Sequence, residues 1–450
     1  MNIAPRRRAN IKAYFQPRML VMLALGFSSG LPFLLTGNTF GYWLRDQGTS
    51  LAAIGFISWV GLAYSFKFLW APLIDRVRAP LVARLGQRRG WMLLAQAAIV
   101  SGLVAMALLG TAHGLVLLGA CALAVAFSSA TQDIAIDAWR IESAESVEEL
   151  GLLSSALQLG YRAALLVTDS LILIAAEHAG WSLSYLACGA LMAVGIAATM
   201  LATEPGRADA VIAKKTKDLP LSSPRGLFDA IVGPFIAFFQ TYGWLAFLML
   251  AAIILYRLPD FVMGPMANPY YHDIGLSKDY VGGVRGSIGL VAALLGIVAG
   301  GACALRLGSM RTLIIGGVLQ ALAIAAFAAL AYGKPGVPLF ATVMAADNFS
   351  TSFAGVALVT YMSSLTSLGY TATQYALLSS AYTWAGKLLK GFSGSIVESL
   401  SATHGLMNAY AIFFVGAGMI GIPAIVLFLV LAMHRDRMTA AQRLMTAKGG

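Results

Sequence analysis

Residues 114–140 read GLVLLGACALAVAFSSATQDIAIDAWR. The apolar part is long enough to cross the hydrocarbon core of a bilayer, about 30 Å, as one helix. Asp133 and Asp137 lie near its end, four residues apart and therefore on the same helix face. An ionisable side chain in hydrocarbon costs about 2.5–3.5 kcal/mol on insertion scales. Two stacked carboxylates need a basic partner, a water-filled cavity or a bound proton, and each of these solutions indicates a transport pathway.

Composition places the chain among polytopic helical membrane proteins, because 59% of its 450 residues are hydrophobic and only 11% are charged. The net charge of +11 is not evidence for a nucleic-acid partner, since the basic residues occupy short segments between apolar runs. The three cysteines lie inside apolar runs without a CxxC pair, and the five histidines lack metal-ligand spacing. We therefore expect the lipid bilayer as surroundings and no nucleic acid, metal or cofactor.

Twelve apolar runs are long enough to span a bilayer. They cover residues 19–44, 52–74, 91–110, 114–138, 151–175, 182–202, 243–270, 281–305, 311–332, 337–365, 372–397 and 406–433. Most of the 31 Lys and Arg residues lie on the side that holds both termini. The opposite side carries only Arg45, Lys278 and Lys334. By the positive-inside rule, this asymmetry predicts twelve transmembrane helices with both termini in the cytoplasm.

The chain divides into two similar halves. Residues 1–202 form an N-terminal six-helix half, 203–242 a polar cytoplasmic central loop, and 243–450 a C-terminal six-helix half with a short cytoplasmic tail. The hexapeptides RLGQRR at 84–89 and RLGSMR at 306–311 follow the second and eighth runs, which are equivalent positions. A parallel repeat of this kind predicts substrate binding near the midplane, between the halves. The pattern indicates an all-α major facilitator fold.

A second charged motif joins the second and third runs. Asp75-Arg76, followed by Gly86-Gln87-Arg88-Arg89-Gly90, resembles the cytoplasmic loop motif of the major facilitator superfamily. There, an Asp and several Arg residues lock the two halves together. We expect Asp75, Arg76, Arg88 and Arg89 to form a salt-bridge latch that breaks when the halves rock. The alternative is a positively charged loop that sets topology and latches nothing.

Five stretches resemble one family, the AmpG-type muropeptide permeases. They are LGFSSGLP at 25–32, FKFLWAPLIDR at 66–76, SSATQDIAIDAWR at 128–140, LGYR at 159–162 and TQYALLS at 373–379. The resemblance implies a monomeric permease of the bacterial inner membrane. It would import GlcNAc-1,6-anhydroMurNAc and its peptides (anhydromuropeptides) from periplasm to cytoplasm, driven by the proton gradient. In that family the route serves peptidoglycan recycling and is linked to β-lactam resistance.

A muropeptide offers carboxylates, sugar hydroxyls, acetamido groups and sugar rings, which cations, amides and aromatic faces recognise. The residue types inside the runs match these needs. We predict substrate contacts from Lys67, Gln132, Tyr161, Arg162, Arg257, Asp347, Gln374 and Lys387. For Lys67 and Arg162 the alternative is a salt bridge to Asp133 or Asp137 that only holds the bundle together. For Asp347 it is polar packing.

Three intramembrane carboxylates, Asp133, Asp137 and Asp260, are the predicted proton-coupling residues. Burial and a neighbouring cation act in opposite senses on the proton affinity of a carboxyl group. Movement of the cation would therefore load or release a proton. Asp137 has a simpler interpretation as well, because Arg140 lies within one helical turn and the pair would mark the cytoplasmic end of the helix.

Two other kinds of function are compatible with parts of this sequence. A related major facilitator protein would carry another bulky anion, such as acetyl-CoA, or a drug-like or siderophore-like solute. An intramembrane acyltransferase is disfavoured, because no His-Asp, Ser-His or HExxH arrangement occurs in any run or loop. We therefore predict a transporter and not an enzyme.

Overall fold

The computed structural model describes residues 16–49, 58–80, 82–111, 114–206, 223–276, 278–332 and 337–434, and within these ranges it contains helices and no β-strand. The helices before the central loop are α1 Pro17–Leu35, α2 Asn38–Asp46, α3 Leu62–Phe66, α4 Ala71–Arg76, α5 Gln87–Leu109, α6 Leu115–Ser143, α7 Val147–Leu166, α8 Ile172–Ala179, α9 Trp181–Leu191 and α10 Ala193–Leu201. The later ones are α11 Pro224–Ile231, α12 Gly233–Tyr242, α13 Leu245–Asp273, α14 Lys278–Val284, α15 Leu290–Leu307, α16 Ser309–Ala326, α17 Val337–Ser364, α18 Thr371–Leu389, α19 Ser393–His404 and α20 Leu406–Ile420.

Short turns of other helix types interrupt the α-helices. Turns of 3-10 helix occupy Ser58–Gly61, Lys67–Leu69, Ala83–Leu85, Phe327–Ala331 and Lys390–Phe392. Turns of π-helix occupy Val167–Leu171 and Arg285–Gly289. Such turns change the direction in which side chains leave a helix, so the residues beside them do not follow a simple 3.6-residue pattern.

Among the residues that the structure describes, nine helices are long and apolar enough to cross a membrane. They are Pro17–Leu44, Gln87–Leu109, Leu115–Ser143, Val147–Ala179, Trp181–Leu201, Leu245–Ala267, Tyr280–Leu307, Ser309–Ala331 and Leu406–His434. Three predicted runs are outside this set. Residues 52–57 of the second run lie outside the described residues. The helix over 337–365 carries Asp347 and Asn348, and the run 372–397 carries Lys387 and Lys390, and these polar residues lower the hydropathy of both.

The second predicted run is also less regular than a single helix. Between residues 58 and 76 the backbone alternates between 3-10 and α-helix, and it restarts at α4. Pro72 lies at the start of α4, where a missing backbone N–H is tolerated because the first turn has no partner for it. This restart places Asp75 and Arg76 in the last turn of a separate short helix.

The described chain separates into two compact units. The N-terminal unit is formed by the described residues of Arg8–Ala237 and by Ser363–Ser380, and the C-terminal unit by those of Phe238–Met362 and Ala381–Gly450. The start of α18, residues 371–380, therefore belongs to the same unit as the first six predicted spans. The division of the sequence into two equivalent halves stays a prediction.

In the N-terminal unit, α1 and α7 pack with their backbones close together. A Cβ atom on Gly26 would overlap the carbonyl group of Leu157, and one on Gly160 would overlap that of Leu23. Small residues permit such close approach between membrane helices, where hydrophobicity gives no drive for association. This contact fixes the position of the LGFSSGLP stretch beside LGYR.

Each unit has its own aromatic core. In the N-terminal unit Trp43 packs on Tyr185 with 4.5 Å between ring centroids. In the C-terminal unit Tyr270 packs on Tyr410 at 4.7 Å, and its hydroxyl donates to the carbonyl of Phe327 at 3.0 Å. Large apolar side chains such as Val116 are exposed on the outer surface of the helices, as expected of a surface that faces lipid.

Candidate functional site: buried charges of the two units

Three charged side chains meet in the N-terminal unit and form what we call the charge cluster: Lys67, Asp137 and Arg140. Asp137 lies between the two cations, with Lys67 Nζ at 3.7 Å from Oδ2 and Arg140 Nη2 at 3.1 Å from Oδ1. Arg140 is fully buried, whereas Lys67 and Asp137 are slightly exposed. Each carboxylate oxygen thus has a different cation, which orients the Asp137 side chain.

Residues of other helices surround the charge cluster. Arg140 Nη1 donates to the hydroxyl of Ser154 in α7 at 2.5 Å. The ring of Tyr375 in α18 lies 5.3 Å from the Arg140 guanidinium carbon and 6.0 Å from Lys67 Nζ. Both distances are within the range of a cation–π interaction. The cluster therefore joins α6 and α7, the 3-10 turn at Lys67 and the start of α18.

One helical turn before Asp137, Asp133 accepts a hydrogen bond from the Ser29 hydroxyl at 2.5 Å. Lys67 is close enough to interact electrostatically with Asp133 as well. Lys67 is thus shared between two carboxylates on one face of α6. The neighbouring Gln132 is fully buried, and its Oε1 accepts a bond from Ser28 at 3.3 Å.

The predicted latch residues form a denser network than the sequence indicates. Asp75 and Arg88, both buried, are joined at 3.0 Å, and Arg88 also binds Glu142 through Nη2 at 2.6 Å and Nε at 3.0 Å. Asp75 further accepts bonds from the backbone N–H groups of Ala372 and Thr373 at 3.1 and 2.8 Å. A carboxylate is well placed there, because the first N–H groups of a helix carry partial positive charge.

Two predicted latch residues have other partners. Arg76 pairs with Asp229 of α11, and Arg89 donates to the carbonyl groups of Thr199 and Met200 at 3.1 and 2.9 Å. Glu204 accepts the backbone N–H of Arg89 at 3.1 Å. Asp75 is therefore not the sole partner of the predicted latch: Glu142 pairs with Arg88, Asp229 pairs with Arg76, and backbone carbonyl groups accept bonds from the Arg89 guanidinium.

In the C-terminal unit, one helix supplies both members of an ion pair. Arg257 Nη1 lies 2.7 Å from Asp260 Oδ2, three residues along α13. Thr351 of α17 approaches Asp260 Oδ1 at 3.5 Å, the limit of a hydrogen bond. Half-buried Asp347, also on α17, interacts electrostatically with Asp260 and with Arg285.

The remaining predicted substrate contacts lie in varied surroundings. Tyr161 and Arg162 are half-buried on α7, where Tyr161 packs against Phe33 at 6.2 Å. Lys387 is exposed. Gln374 is buried, and its amide group donates to the carbonyl of Pro234 at 3.0 Å and accepts the N–H of Ser367 at 2.7 Å. Those bonds hold Gln374 between Pro234 and Ser367 within the N-terminal unit, so its predicted contact with substrate would require these segments to move.

Sequence reasoning missed several members of these clusters. In the sequence Arg140 pairs with Asp137 only as a mark of the cytoplasmic end of a helix, and its i, i+3 spacing does not show that Lys67 joins the pair. Glu142 and Asp229 left no local signal, because their partners Arg88 and Arg76 are 54 and 153 residues away. For metals, no group of His, Cys, Asp or Glu in the described ranges has the geometry to hold an ion.

Comparisons with known proteins agree with this architecture. The Major Facilitator Superfamily sequence profile matches residues 19–388. The chain is 35% identical over 423 residues to the Anhydromuropeptide permease of Escherichia coli (strain K12), covering 93% of this chain and 81% of that protein. It is 30% identical over 422 residues to the Putative transporter AmpG 4 of Rickettsia felis, covering 93% and 98%.

A likeness to solved structures extends to the fold alone. The structure of the proton:xylose symporter XylE bound to 6-bromo-6-deoxy-D-glucose matches with a TM-score of 0.67 at 16% identity, covering 93% of this chain and 96% of that one. The predictions of a major facilitator fold and of a transporter, not an enzyme, are confirmed. The chain belongs to the AmpG-type permeases of the major facilitator superfamily.

Proposed function

We propose that this protein is a proton-coupled importer of anhydromuropeptides, GlcNAc-1,6-anhydroMurNAc and its peptides. It would carry them from periplasm to cytoplasm across the bacterial inner membrane by alternating access, for peptidoglycan recycling. The observation that carries the proposal is the 35% identity, over 93% of the chain, to a protein named for this substrate. Twelve spans, cytoplasmic termini and a monomeric state are part of the proposal.

The buried charges support coupling to protons. Lys67 and Arg140 face Asp133 and Asp137, so two cations and two carboxylates balance when all four are ionised. A proton on either carboxylate leaves a net positive charge in a region of low dielectric. An anionic substrate would neutralise that charge, so proton binding and anion binding favour each other. Asp260 beside Arg257, the third predicted coupling residue, would mainly present charge to the substrate.

Substrate recognition is assigned to the side chains that remain accessible. Lys67 and Arg257, each partly exposed, would bind the lactyl or peptide carboxylate. Half-buried Tyr161 and Arg162 would contact the sugars, with Asp347 and exposed Lys387 as further polar contacts. Gln132 is fully buried, so it would reach an acetamido group only after the helices around it move.

The substrate class is tested with purified protein in liposomes. We expect uptake of radiolabelled GlcNAc-1,6-anhydroMurNAc that excess unlabelled anhydromuropeptide abolishes and that excess acetyl-CoA leaves unchanged. Lys67→Met is the matched variant, because it keeps most of the length of the side chain and removes its charge. Uptake that acetyl-CoA abolishes, or uptake that Lys67→Met leaves intact, would contradict the proposed substrate or the proposed binding residue respectively.

A further inference from the structure

The central loop contributes an acid, Asp229, that no sequence motif singles out. Asp229 lies on α11, whose N-terminus is capped by the Ser223 hydroxyl accepting the N–H of Gly226 at 3.0 Å. Its two carboxylate oxygens have different partners. Oδ2 pairs with the buried Arg76, and Oδ1 accepts a hydrogen bond from the hydroxyl of Tyr370 at 2.8 Å.

The chain around Asp229 is shaped for this contact. A Cβ atom on Gly233 would come within 2.7 Å of both Asp229 Oδ1 and the Tyr370 hydroxyl, so only glycine fits beside the bond. The next residue, Pro234, accepts a bond from Gln374 Nε2 at 3.0 Å. Two hydrogen bonds thus join residues 229–234 of the central loop to residues 370–374, and an ion pair joins Asp229 to Arg76.

Adjacent residues of α4 hold the start of α18 by two routes. Asp75 binds it directly, through the N–H groups of Ala372 and Thr373 and the Thr373 hydroxyl at 2.7 Å. Arg76 binds it indirectly, through Asp229 and Tyr370. The second route exists only because the central loop supplies a carboxylate between an arginine and a tyrosine hydroxyl.

We propose that residues 224–237 act as a strap, with Asp229 as its anchoring residue, that holds the start of α18 against α4. The strap is a conformational device: it stabilises this packing, and its release frees residues 370–374 to repack. The idea rests on the proposed function only in one respect, namely that a transport cycle would use the release. The packing itself is independent of what is transported.

The protonation state of Tyr370 fits this role. Burial raises the pKa of Tyr370 above its ordinary value, Arg76 opposes this change and Asp75 adds to it. The hydroxyl therefore keeps its proton at neutral pH and donates a hydrogen bond to the Asp229 carboxylate.

The test is hydrogen–deuterium exchange of the full-length protein in detergent, followed by mass spectrometry of the peptides that cover residues 368–375. The variants are Asp229→Asn and Tyr370→Phe. A hydrogen bond to a charged group contributes about 1.5–3 kcal/mol, so we expect exchange in these peptides to rise at least about tenfold in Asp229→Asn. Tyr370→Phe loses one bond and should show a smaller rise in the same peptides.

The chain offers a matched control. Tyr410 donates to Asp273 Oδ2 at 2.8 Å in the C-terminal unit, so Tyr410→Phe removes the same kind of bond at another place. It should leave the 368–375 peptides unchanged. A merely structural role of Asp229 would raise exchange throughout α5 and α6 as well, and that result would overturn the strap. Should Asp229→Asn not fold, Tyr370→Phe decides alone, and unchanged exchange in it refutes the proposal.

These outcomes do not depend on transport, so a failed strap and a failed assignment of the substrate can be told apart. If exchange rises locally but anhydromuropeptide is not taken up, the strap holds and the proposed substrate does not. If uptake is normal and exchange in these peptides is unchanged, the proposed substrate holds and the strap does not.

Discussion

The two units solve the problem of intramembrane charge in different ways. In the N-terminal unit, Lys67, Asp137 and Arg140 come from two elements of the chain, and their side chains are 13%, 12% and 0% exposed. In the C-terminal unit, Arg257 and Asp260 come from one helix and are 25% and 19% exposed. A pair within one helix stays together whatever its neighbours do, whereas a cluster built between elements changes when those elements move.

This difference assigns different tasks to the two sites. In the proposed cycle, the charge cluster would sense a proton, because a change in the charge of Asp133 or Asp137 alters forces between α6, the Lys67 turn and α18. The Arg257–Asp260 pair would mainly present charge to the substrate.

Replacing Asp137 by Asn should destabilise the protein strongly. It leaves Arg140 fully buried without its carboxylate partner, and breaking a buried pair in this way costs about 3–5 kcal/mol. Asp260→Asn is the control and should lose less, since the Arg257 and Asp260 side chains are 25% and 19% exposed and water can partly replace the lost partner. The measurement is the midpoint of thermal unfolding in detergent, followed by tryptophan fluorescence. Equal losses in both variants would show that the two sites do not differ in burial as described.

Tyr375 should matter through its ring and not chiefly its hydroxyl. Tyr375→Leu removes a cation–π partner of both Lys67 and Arg140, worth about 2 kcal/mol, whereas Tyr375→Phe retains it. In the C-terminal unit, Tyr271 faces one cation, Arg285, at 5.3 Å, so its Leu and Phe variants should differ less. Unfolding midpoints of the four variants provide the comparison. A larger Leu–Phe difference at Tyr271 than at Tyr375 would count against the cluster.

The smallest expected effects concern hydroxyl groups beside the carboxylates. Ser29→Ala removes a 2.5 Å bond to Asp133 and should cost about 1 kcal/mol. Thr351→Val removes a contact at 3.5 Å to Asp260 and should cost less than about 0.5 kcal/mol. Chemical unfolding in mixed micelles would measure both. We predict that Ser29→Ala loses more unfolding free energy than Thr351→Val. A larger loss in Thr351→Val would contradict this prediction.

Much of the fold could be read from the sequence, because membrane insertion depends on local properties. Apolar length indicates spans, and the pair Asp133 and Asp137 indicates a buried charge site through a spacing of four residues. The RLGQRR and RLGSMR hexapeptides and the central loop indicate a duplicated architecture. Each signal lies within a short window, so no knowledge of tertiary contacts is needed.

The partners of these charges could not be read in the same way. Asp229 and Arg76 are 153 residues apart, and Asp75 and Thr373 are 298 apart, so only folding brings them together. The same reason applies to the bond from Gln374 to the carbonyl of Pro234, which lies 140 residues away. The breaks at residues 58–76 were also missed, because alternation between 3-10 and α-helix leaves apolar content unchanged.

Proton coupling in the N-terminal unit is tested most directly by uptake of GlcNAc-1,6-anhydroMurNAc into liposomes with and without an inward proton gradient. It compares the native protein with Asp133→Asn and Asp260→Asn. We predict that the gradient accelerates uptake by the native protein and by Asp260→Asn. In Asp133→Asn we predict that uptake no longer responds to the gradient, although exchange of substrate continues. Gradient-driven uptake that persists in Asp133→Asn and is lost in Asp260→Asn would contradict the assignment of coupling to the N-terminal unit.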